Sequence, residues 1–211
     1  GALVDRAIRD APLERPRRPG ASCSVGADFG TRGNATTLVV AWAEQRGAKH
    51  APLWHTVVGG AWQWVGSKAS PLSPKEVLRE MAGHLRRYGA RRIRCDGWSF
   101  DAMRDHARDV GLELVQTRLG DQDAAYAKLK ALLSTETLEL PPVAELRSDL
   151  IAIRQKATSG GVRIVLPRMA NGRHCDFAPA AALAVAGAQQ ARQLGNHQVR
   201  VYGGHSGPRL I

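Results

Sequence analysis

Three aspartates occupy positions in the sequence that suit metal chemistry. Asp28 and Asp96 each end a short apolar segment that predicts a strand, and Asp176 lies between a loop and the last predicted helix. Carboxylates held a few ångströms apart repel one another unless a cation lies among them. Oxygen-only ligands suit Mg²⁺ or Mn²⁺ rather than Zn²⁺, and a pair of such ions can activate water and stabilise the leaving oxygen of a phosphodiester. The aspartates therefore predict a site for two Mg²⁺ or Mn²⁺ ions, with Asp28 bridging both.

Each aspartate also has a purely structural interpretation. Asp28 can serve as a turn residue, and Asp96-Gly97 is an ordinary turn dipeptide. Asp176 can cap the following helix, with Pro179 in the first helical turn. The three together, on a basic chain, favour the metal site, and a capping Asp176 still has an oxygen to offer a metal.

The elements predicted to position these aspartates alternate along the chain. Three consecutive strands suit antiparallel pairing, and the Gly59-Gly60 pair in the third indicates a bulge or bend. The later strands alternate with helices, which suits parallel pairing through crossovers. The predicted fold class is therefore α/β, a mixed sheet with helices on both faces. The predicted strands are 23–28, 36–43, 53–64, 91–96, 112–117, 138–140 and 161–166, and the predicted helices are 73–89, 100–110, 121–133, 143–155 and 178–194.

Composition points to a polyanionic partner. The 211 residues suit one domain, and a hydrophobic content of 44% is enough for a core and excludes global disorder. Lys and Arg total 30 against 19 Asp and Glu, which gives a net charge of +11, and 24 of the 30 cations are arginine. Because arginine binds phosphate in a bidentate manner, nucleic acid is the expected partner. The alternative is a GC-rich genome that favours arginine codons.

Other classes of protein are excluded more simply. The sequence has no apolar run of about 18 residues and no charged leader followed by an apolar segment, so neither a membrane span nor secretion is expected. Cys23, Cys95 and Cys175 include no Cys-x-x-Cys pair, which argues against zinc and disulfides and favours a cytoplasmic location.

Proline and glycine divide the chain into three parts. Residues 1–21 contain a short helical pattern followed by several prolines and predict a linker, residues 22–195 the domain, and residues 196–211 a polar tail. A linker that follows Gly1 predicts another module upstream. The nearest match to a phosphate-binding P-loop, residues 60–68, has the wrong spacing.

The segments around the aspartates resemble a known family. They are residues 25–30 followed by Thr36-Thr37, Cys95-Asp96-Gly97-Trp98, and Gly172-Arg173-His174-Cys175-Asp176 before an alanine-rich helix. Together they resemble the C-terminal nuclease domain of terminase large subunits, the DNA-packaging motor proteins of tailed phages. The resemblance covers roughly residues 22–192, and the closing His-x-Asp with its alanine-rich helix is its most specific element.

The resemblance implies an RNase H-like fold and metal-dependent cleavage of double-stranded DNA, which cuts concatemers into genome units. Asp28, Asp96 and Asp176 match the metal-binding acidic triad of the family. Many relatives carry further acids around the positions of Cys175 and Pro179, where this chain has none. The implied partners are an upstream ATPase domain of the same polypeptide, the portal and the small terminase subunit, in the host cytoplasm.

Several basic and polar residues are candidates for contacting DNA around the site. Thr31, Asn34 and His174 are candidate supporting residues, although stabilising a turn or a hydrogen-bond network would explain them equally well. Asp121, Asp123 and Asp149 are reserve candidates for an extra metal ligand. The candidate phosphate contacts, some of which could instead be solvated surface charges, are Arg32, Arg118, Lys128, Arg168 and Arg173.

Two other functions fit the same residues. A junction resolvase or a transposase-like nuclease would share the fold and the acidic triad. A non-catalytic DNA-binding or motor-docking module would share the basic charge and lack cleavage.

Overall fold

The first three strands form the centre of the sheet. In the computed structural model, which describes residues 1–30, 35–47, 50–97, 100–158, 161–169 and 173–202, they are β1 (Cys23–Asp28), β2 (Ala35–Arg46) and β3 (Leu53–Val65). Both neighbouring pairs are antiparallel. The candidate residues Thr31, Arg32 and Asn34 lie outside the described residues, as do 203–211.

The predicted irregularity in the third strand is confirmed as a β-bulge. The β2–β3 register shifts between Val40 and Ala41, which leaves Gly59 as the extra residue. A Cβ at Gly59 would lie 1.9 Å from the ring of Trp42. Only glycine fits at position 59, because any side chain there would clash with the buried indole of Trp42.

The remaining strands extend the sheet on both sides in parallel pairing. The order is β5-β4-β1-β2-β3-β6, with β4 parallel to β1, β5 parallel to β4 and β6 parallel to β3. This mixed sheet, antiparallel in its first three strands and parallel beyond them, is the arrangement that the sequence predicts. The added strands are β4 (Arg92–Cys95), β5 (Glu113–Gln116) and β6 (Leu138–Glu139).

Helices cover both faces of the sheet. Leu78, Met81 and Leu85 of the second helix pack on one face, and the last helix packs on the other. The helices are α1 (Ala2–Ala7), α2 (Pro74–Tyr88), α3 (Phe100–Asp109), α4 (Leu119–Ser134), α5 (Ala144–Ala152) and α6 (Phe177–Tyr202). No described helix is both long and apolar enough to cross a bilayer.

Local signals set the ends of α2 as predicted. The Ser73 hydroxyl accepts a hydrogen bond from the Glu76 N–H at 3.4 Å, and the helix stops at Gly89, whose φ of 62° is left-handed.

Helix α6 lies unusually close to β1. A Cβ at Gly26 would lie 2.1 Å from the carbonyl oxygen of Ala180, and one at Gly187 would lie 2.0 Å from the Ser24 hydroxyl. The alanine-rich first half of α6 is buried against the sheet. Because both surfaces are small, the start of α6 is held directly over the strand that ends in Asp28.

Two of the predicted elements have the wrong bounds. The helix predicted over 143–155 ends at Ala152, and β7 (Arg154–Thr158) pairs with β8 (Gly161–Val165) in an antiparallel hairpin. Strand β7 is exposed along its whole length, so its sequence carries no alternation of apolar and polar residues. The last helix continues beyond the predicted end at 194 through Gly195 to Tyr202.

The N-terminal segment predicted as a linker packs on the rest of the protein. Val4 and Ala7 of α1 are buried in the core that α4, α5 and α6 share. The backbone N–H of Arg15 donates to the Gly59 carbonyl at 2.7 Å, and its side chain donates to Glu139 at 2.8 Å. Residues 1–21 are therefore docked on the sheet, and the upstream module remains a prediction.

Candidate active site at the carboxyl edge of the sheet

Asp28 and Asp96 lie side by side because of the strand register. Gly26 of β1 pairs in parallel with Arg94 of β4, and each aspartate comes two residues after its member of this pair. Asp28 is the last residue of β1, and Asp96 directly follows β4. Both therefore lie at the carboxyl edge of the sheet, where adjacent parallel strands end together.

Asp176 reaches the same edge from the opposite direction. It directly precedes α6 and is only 4% exposed. Its Oδ2 accepts a hydrogen bond from the Ala35 N–H at 3.2 Å, and its carbonyl accepts one from the Thr37 hydroxyl at 2.7 Å. Since Thr37 pairs with Asp28 in the β1–β2 ladder, these bonds hold Asp176 beside the end of β1. Asp28, Asp96 and Asp176 are called the aspartate cluster below.

The electrostatics of the cluster are those of neighbouring anions. Burial, followed by repulsion from Asp96 and Asp176, raises the pKa of Asp28 to about 8, although the Phe29 N–H opposes the shift. Burial also raises the pKa of Asp176, against the hydrogen bond from Ala35. No described cation is among the groups that set the pKa of Asp28.

Two buried neighbours respond to the same negative charge. Burial, then Asp96 and Asp28, raises the pKa of the Cys95 thiol to about 12. Burial, then Asp28, raises the pKa of the Tyr126 hydroxyl of α4. No sequence pattern marks Tyr126 as a neighbour of the aspartates, because its proximity to them depends on how α4 packs.

The donor set fits a hard divalent cation. The aspartate cluster offers carboxylate oxygens, the ligands that Mg²⁺ and Mn²⁺ prefer. Within the described part of the chain, however, no three His, Cys, Asp or Glu side chains already stand around one point as metal ligands would. The aspartates are close enough to influence one another's pKa, and binding an ion requires their oxygens to draw together.

A buried ion pair anchors the segment that carries Asp176. Arg173 donates to both oxygens of Asp149, at 2.5 and 3.0 Å, and to the Ser148 hydroxyl at 3.0 Å. Asp149 is fully buried, and its Oδ2 also accepts the Phe177 N–H at 2.9 Å. Asp149 therefore binds a residue on each side of Asp176 in the sequence, Arg173 before it and Phe177 after it. The sequence suggested Asp149 only as a reserve metal ligand, although its position between Leu146 and Leu150 indicates an inward-facing residue.

The other candidate residues differ in whether they have partners within the protein. Arg173 was expected to contact DNA, and its guanidinium is paired with Asp149, so that role remains a prediction. The Nε2 of His174 is buried without a hydrogen-bond partner among the described residues. Arg118, Lys128 and Arg168 are exposed, and no described carboxylate lies within 4.0 Å of their charged groups.

Comparison with known proteins gives a match in fold to solved structures. No protein-family model matches the sequence, and no curated protein matches it either. The fold is that of the nuclease domains of phage large terminases, as the resemblance implied.

Three solved structures illustrate the similarity. The large terminase nuclease of thermophilic phage G20c superposes with a TM-score of 0.63 at 16% identity, covering 87% of this chain and 95% of that one. The nuclease domain from Thermus phage P74-26 gives 0.61 at 16% identity, covering 87% and 92%. The HK97 large terminase gives 0.66 at 15% identity, covering 88% of this chain and 42% of the longer protein. The G20c nuclease has also been solved with bound magnesium and with bound cobalt.

Proposed function

We propose that this chain is the nuclease domain of a terminase large subunit, a metal-dependent endonuclease that cleaves double-stranded concatemeric DNA during phage genome packaging. The observation that carries the proposal is the aspartate cluster, in which two strand-end carboxylates and a third from the start of α6 lie within electrostatic reach of one another. The shared fold with terminase nucleases, one of them solved with bound magnesium, supports it.

Asp28, Asp96 and Asp176 would hold two Mg²⁺ or Mn²⁺ ions. When bound, such ions supply an activated water and neutralise the departing 3′ oxygen. The chain's own contribution is to fix the ligands: Ala35 and Thr37 hold Asp176, and β1 and β4 hold the other two aspartates.

The exposed cations around this edge would contact the DNA backbone. Arg118, Lys128 and Arg168 have no acidic partner among the described residues, so their charges are available to phosphates. Contacts to the backbone carry little sequence information, so weak sequence preference is expected. Arg32 belongs to the same proposal from its place after β1.

In the full motor this domain would act beside other parts. We assign residues 22–195 to the nuclease, with an ATPase domain upstream of residues 1–21 and residues 196–211 as a C-terminal extension. The portal and the small terminase subunit would direct the domain to its cutting sites, in the host cytoplasm.

Plasmid cleavage tests the proposal directly. Supercoiled plasmid incubated with the protein and Mn²⁺ should be nicked and linearised, and EDTA should prevent it. Asp28→Ala should abolish cleavage, while the control Asp105→Ala, which removes an exposed aspartate of α3, should not. Intact plasmid with wild-type protein, or equal cleavage by Asp28→Ala, would overturn the proposal. Preferential cutting of four-way junctions would instead favour a resolvase.

A second function has one observation in its favour. No three described ligand side chains already surround one point, which suits a DNA-binding module without catalysis. Such a module would bind duplex DNA equally well with and without Mn²⁺ and would not cut it.

A further inference from the structure

A polar groove runs beside α6 on the face of the sheet that carries that helix. It consists of two adjoining cavities, of about 180 and 320 Å³, that share Arg94 and Gly187 in their linings. One end is at the carboxyl edge, where the Thr117 N–H donates to the Cys95 carbonyl at 2.8 Å, next to Asp96. The other end lies at Ser24, near the start of β1.

Arg94 occupies the middle of this groove because side chains alternate along β4. Ile93 and Cys95 are buried in the core beneath α2 and α3, so Arg94 points to the α6 face. A side chain at Gly187 would come within 2.8 Å of the Arg94 Nε, so glycine keeps the space open.

Arg94 is a half-buried residue whose guanidinium has N–H donors without a described partner. Its Nη2 donates to the neutral Gln190 Oε1 at 2.9 Å, and no described carboxylate lies within 4.0 Å of it. By contrast, the half-buried Arg173 is paired with a buried carboxylate. Because a guanidinium carries five N–H donors, Arg94 can still bind an anion in a bidentate manner.

Hydroxyl groups along the same groove are also unsatisfied. The Oγ of Ser24, which is 8% exposed, and the buried Oγ1 of Thr117 have no hydrogen-bond partner among the described residues. Buried hydroxyls are normally hydrogen-bonded, so both sites point to a ligand or ordered solvent.

The charge of the groove favours an anion. Lys128 contributes a second cation without a described acidic partner, while Arg92 is offset by Glu113 at 3.1 Å. Asp121 is the one acidic side chain among the described lining residues, and it lies in the first turn of α4, where the helix dipole stabilises a carboxylate.

From these features we infer that the groove binds backbone phosphates of the DNA strand that passes the aspartate cluster. Arg94 is the central contact, and Lys128 and Thr117 flank it. This inference rests on the proposed function, since it assumes DNA as the substrate. It adds a strand-binding site that extends away from Asp96 along α6, with Arg94, which no sequence motif marks, as its central phosphate contact.

DNA binding without hydrolysis tests the groove separately from catalysis. Fluorescence anisotropy of a labelled 30-base-pair duplex in EDTA, over a range of KCl concentrations, would compare Arg94→Gln with Arg79→Gln. Arg79 is an exposed arginine of α2, on the other face of the sheet. Both variants lose one positive charge, so they differ only in where it is lost. Arg94→Gln should weaken binding about tenfold at about 0.1 M salt and reduce the salt slope by about one, because a charged phosphate contact is lost. Arg79→Gln should change binding less than about twofold.

The outcomes separate the two proposals. Equal affinities for Arg94→Gln and Arg79→Gln would overturn the groove, whatever the wild type does to plasmid. A wild type that binds DNA through Arg94 but never cuts would overturn the nuclease and leave the groove standing. Thermal unfolding with inorganic phosphate provides the last test. If phosphate stabilises the wild type but not Arg94→Gln, while the two proteins bind DNA equally well, the groove binds free phosphate and the inference is wrong. If Arg94→Gln does not fold, Lys128→Gln replaces it with the same expectations.

Discussion

Two regions of this protein bury carboxylates and treat them in opposite ways. In the aspartate cluster, burial and mutual repulsion raise the pKa of Asp28 to about 8. At the other region, called the glutamate corner and formed by Glu44 of β2 and Glu139 of β6, arginines surround the carboxylates. Burial alone would raise the pKa of Glu139, but hydrogen bonds from Arg46 and Arg15 lower it to about 2.

The difference shows which buried carboxylates the arginines of the protein neutralise. A chain with 24 arginines has the means to neutralise any buried acid, and it does so at Glu139 and Asp149. No described arginine or lysine contributes to the pKa of Asp28. Mutual repulsion among carboxylates favours the binding of a cation, which is the role proposed for the aspartate cluster. We therefore propose a structural role for the glutamate corner and a functional role for the aspartate cluster.

The largest expected effect distinguishes the two regions by activity. Asp28→Asn or Asp96→Asn should lower the Mn²⁺-dependent cleavage rate by a factor on the order of 10³ or more, because a lost metal ligand removes several kcal/mol of transition-state stabilisation. Glu139→Gln should cleave within about twofold of wild type at a temperature where it is folded. Initial rates of plasmid nicking measure both. A loss of cleavage in Glu139→Gln comparable to that in Asp28→Asn would erase the distinction.

The next effect concerns the ion pair between Asp149 and Arg173, which lies beside Asp176. Asp149→Ala should destabilise the protein by about 3–5 kcal/mol, because the half-buried Arg173 loses its buried carboxylate partner and the Phe177 N–H loses its acceptor. It should also raise the Mn²⁺ concentration needed for half-maximal cleavage, since Asp176 loses its anchor. Urea unfolding and a Mn²⁺ titration measure the two effects. Asp105→Ala, which breaks only exposed pairs, is the control, and an unchanged Mn²⁺ requirement would mean that the pair is structural alone.

Acid should reveal the glutamate corner. The pKa of Glu139 is lowered on folding, so its contribution is present above its ordinary value of 4.5 and is lost as pH falls towards about 2. Wild-type stability should therefore drop by on the order of 2–3 kcal/mol more than that of Glu139→Gln between these limits. Urea unfolding at several pH values measures the difference. Parallel pH profiles for the two proteins would show that the arginines around Glu139 contribute nothing to stability.

Local signals made much of the fold predictable. The ends of α2 follow from Ser73, Glu76 and Gly89, and the bulge follows from the glycine pair that includes Gly59. The sheet pairing follows from the change between consecutive strands and strands that alternate with helices. The positions of Asp28 and Asp96 at strand ends are predictable from local sequence in the same way. Their role in binding metal remains a prediction.

Other features depend on packing between distant parts of the chain and carry no local signal. Strand β7 has no apolar face in its sequence, because all five of its residues are exposed. Asp149 and Arg173 are 24 residues apart, and their pairing appears only when α5 packs beside α6. Arg94 lies in a groove only because α6, almost a hundred residues later, crosses β1 at Gly187. Residues 9–20 resemble a free linker in the sequence, because the glutamates that pair with their arginines lie far away along the chain.

The smallest expected effect has opposite signs in the two regions. Without metal, Asp28→Asn should raise the free energy of unfolding by about 1 kcal/mol at pH 8, because it removes a buried anion beside Asp96 and Asp176. Glu139→Gln should lower it by about 1–2 kcal/mol, because Arg15 and Arg46 lose a charged partner. Urea unfolding in EDTA, repeated with Mn²⁺, measures both, and Mn²⁺ should stabilise the wild type while leaving Asp28→Asn nearly unchanged. If Asp28→Asn were instead as destabilising as Glu139→Gln, Asp28 would be a structural carboxylate and the contrast between the two regions would fail.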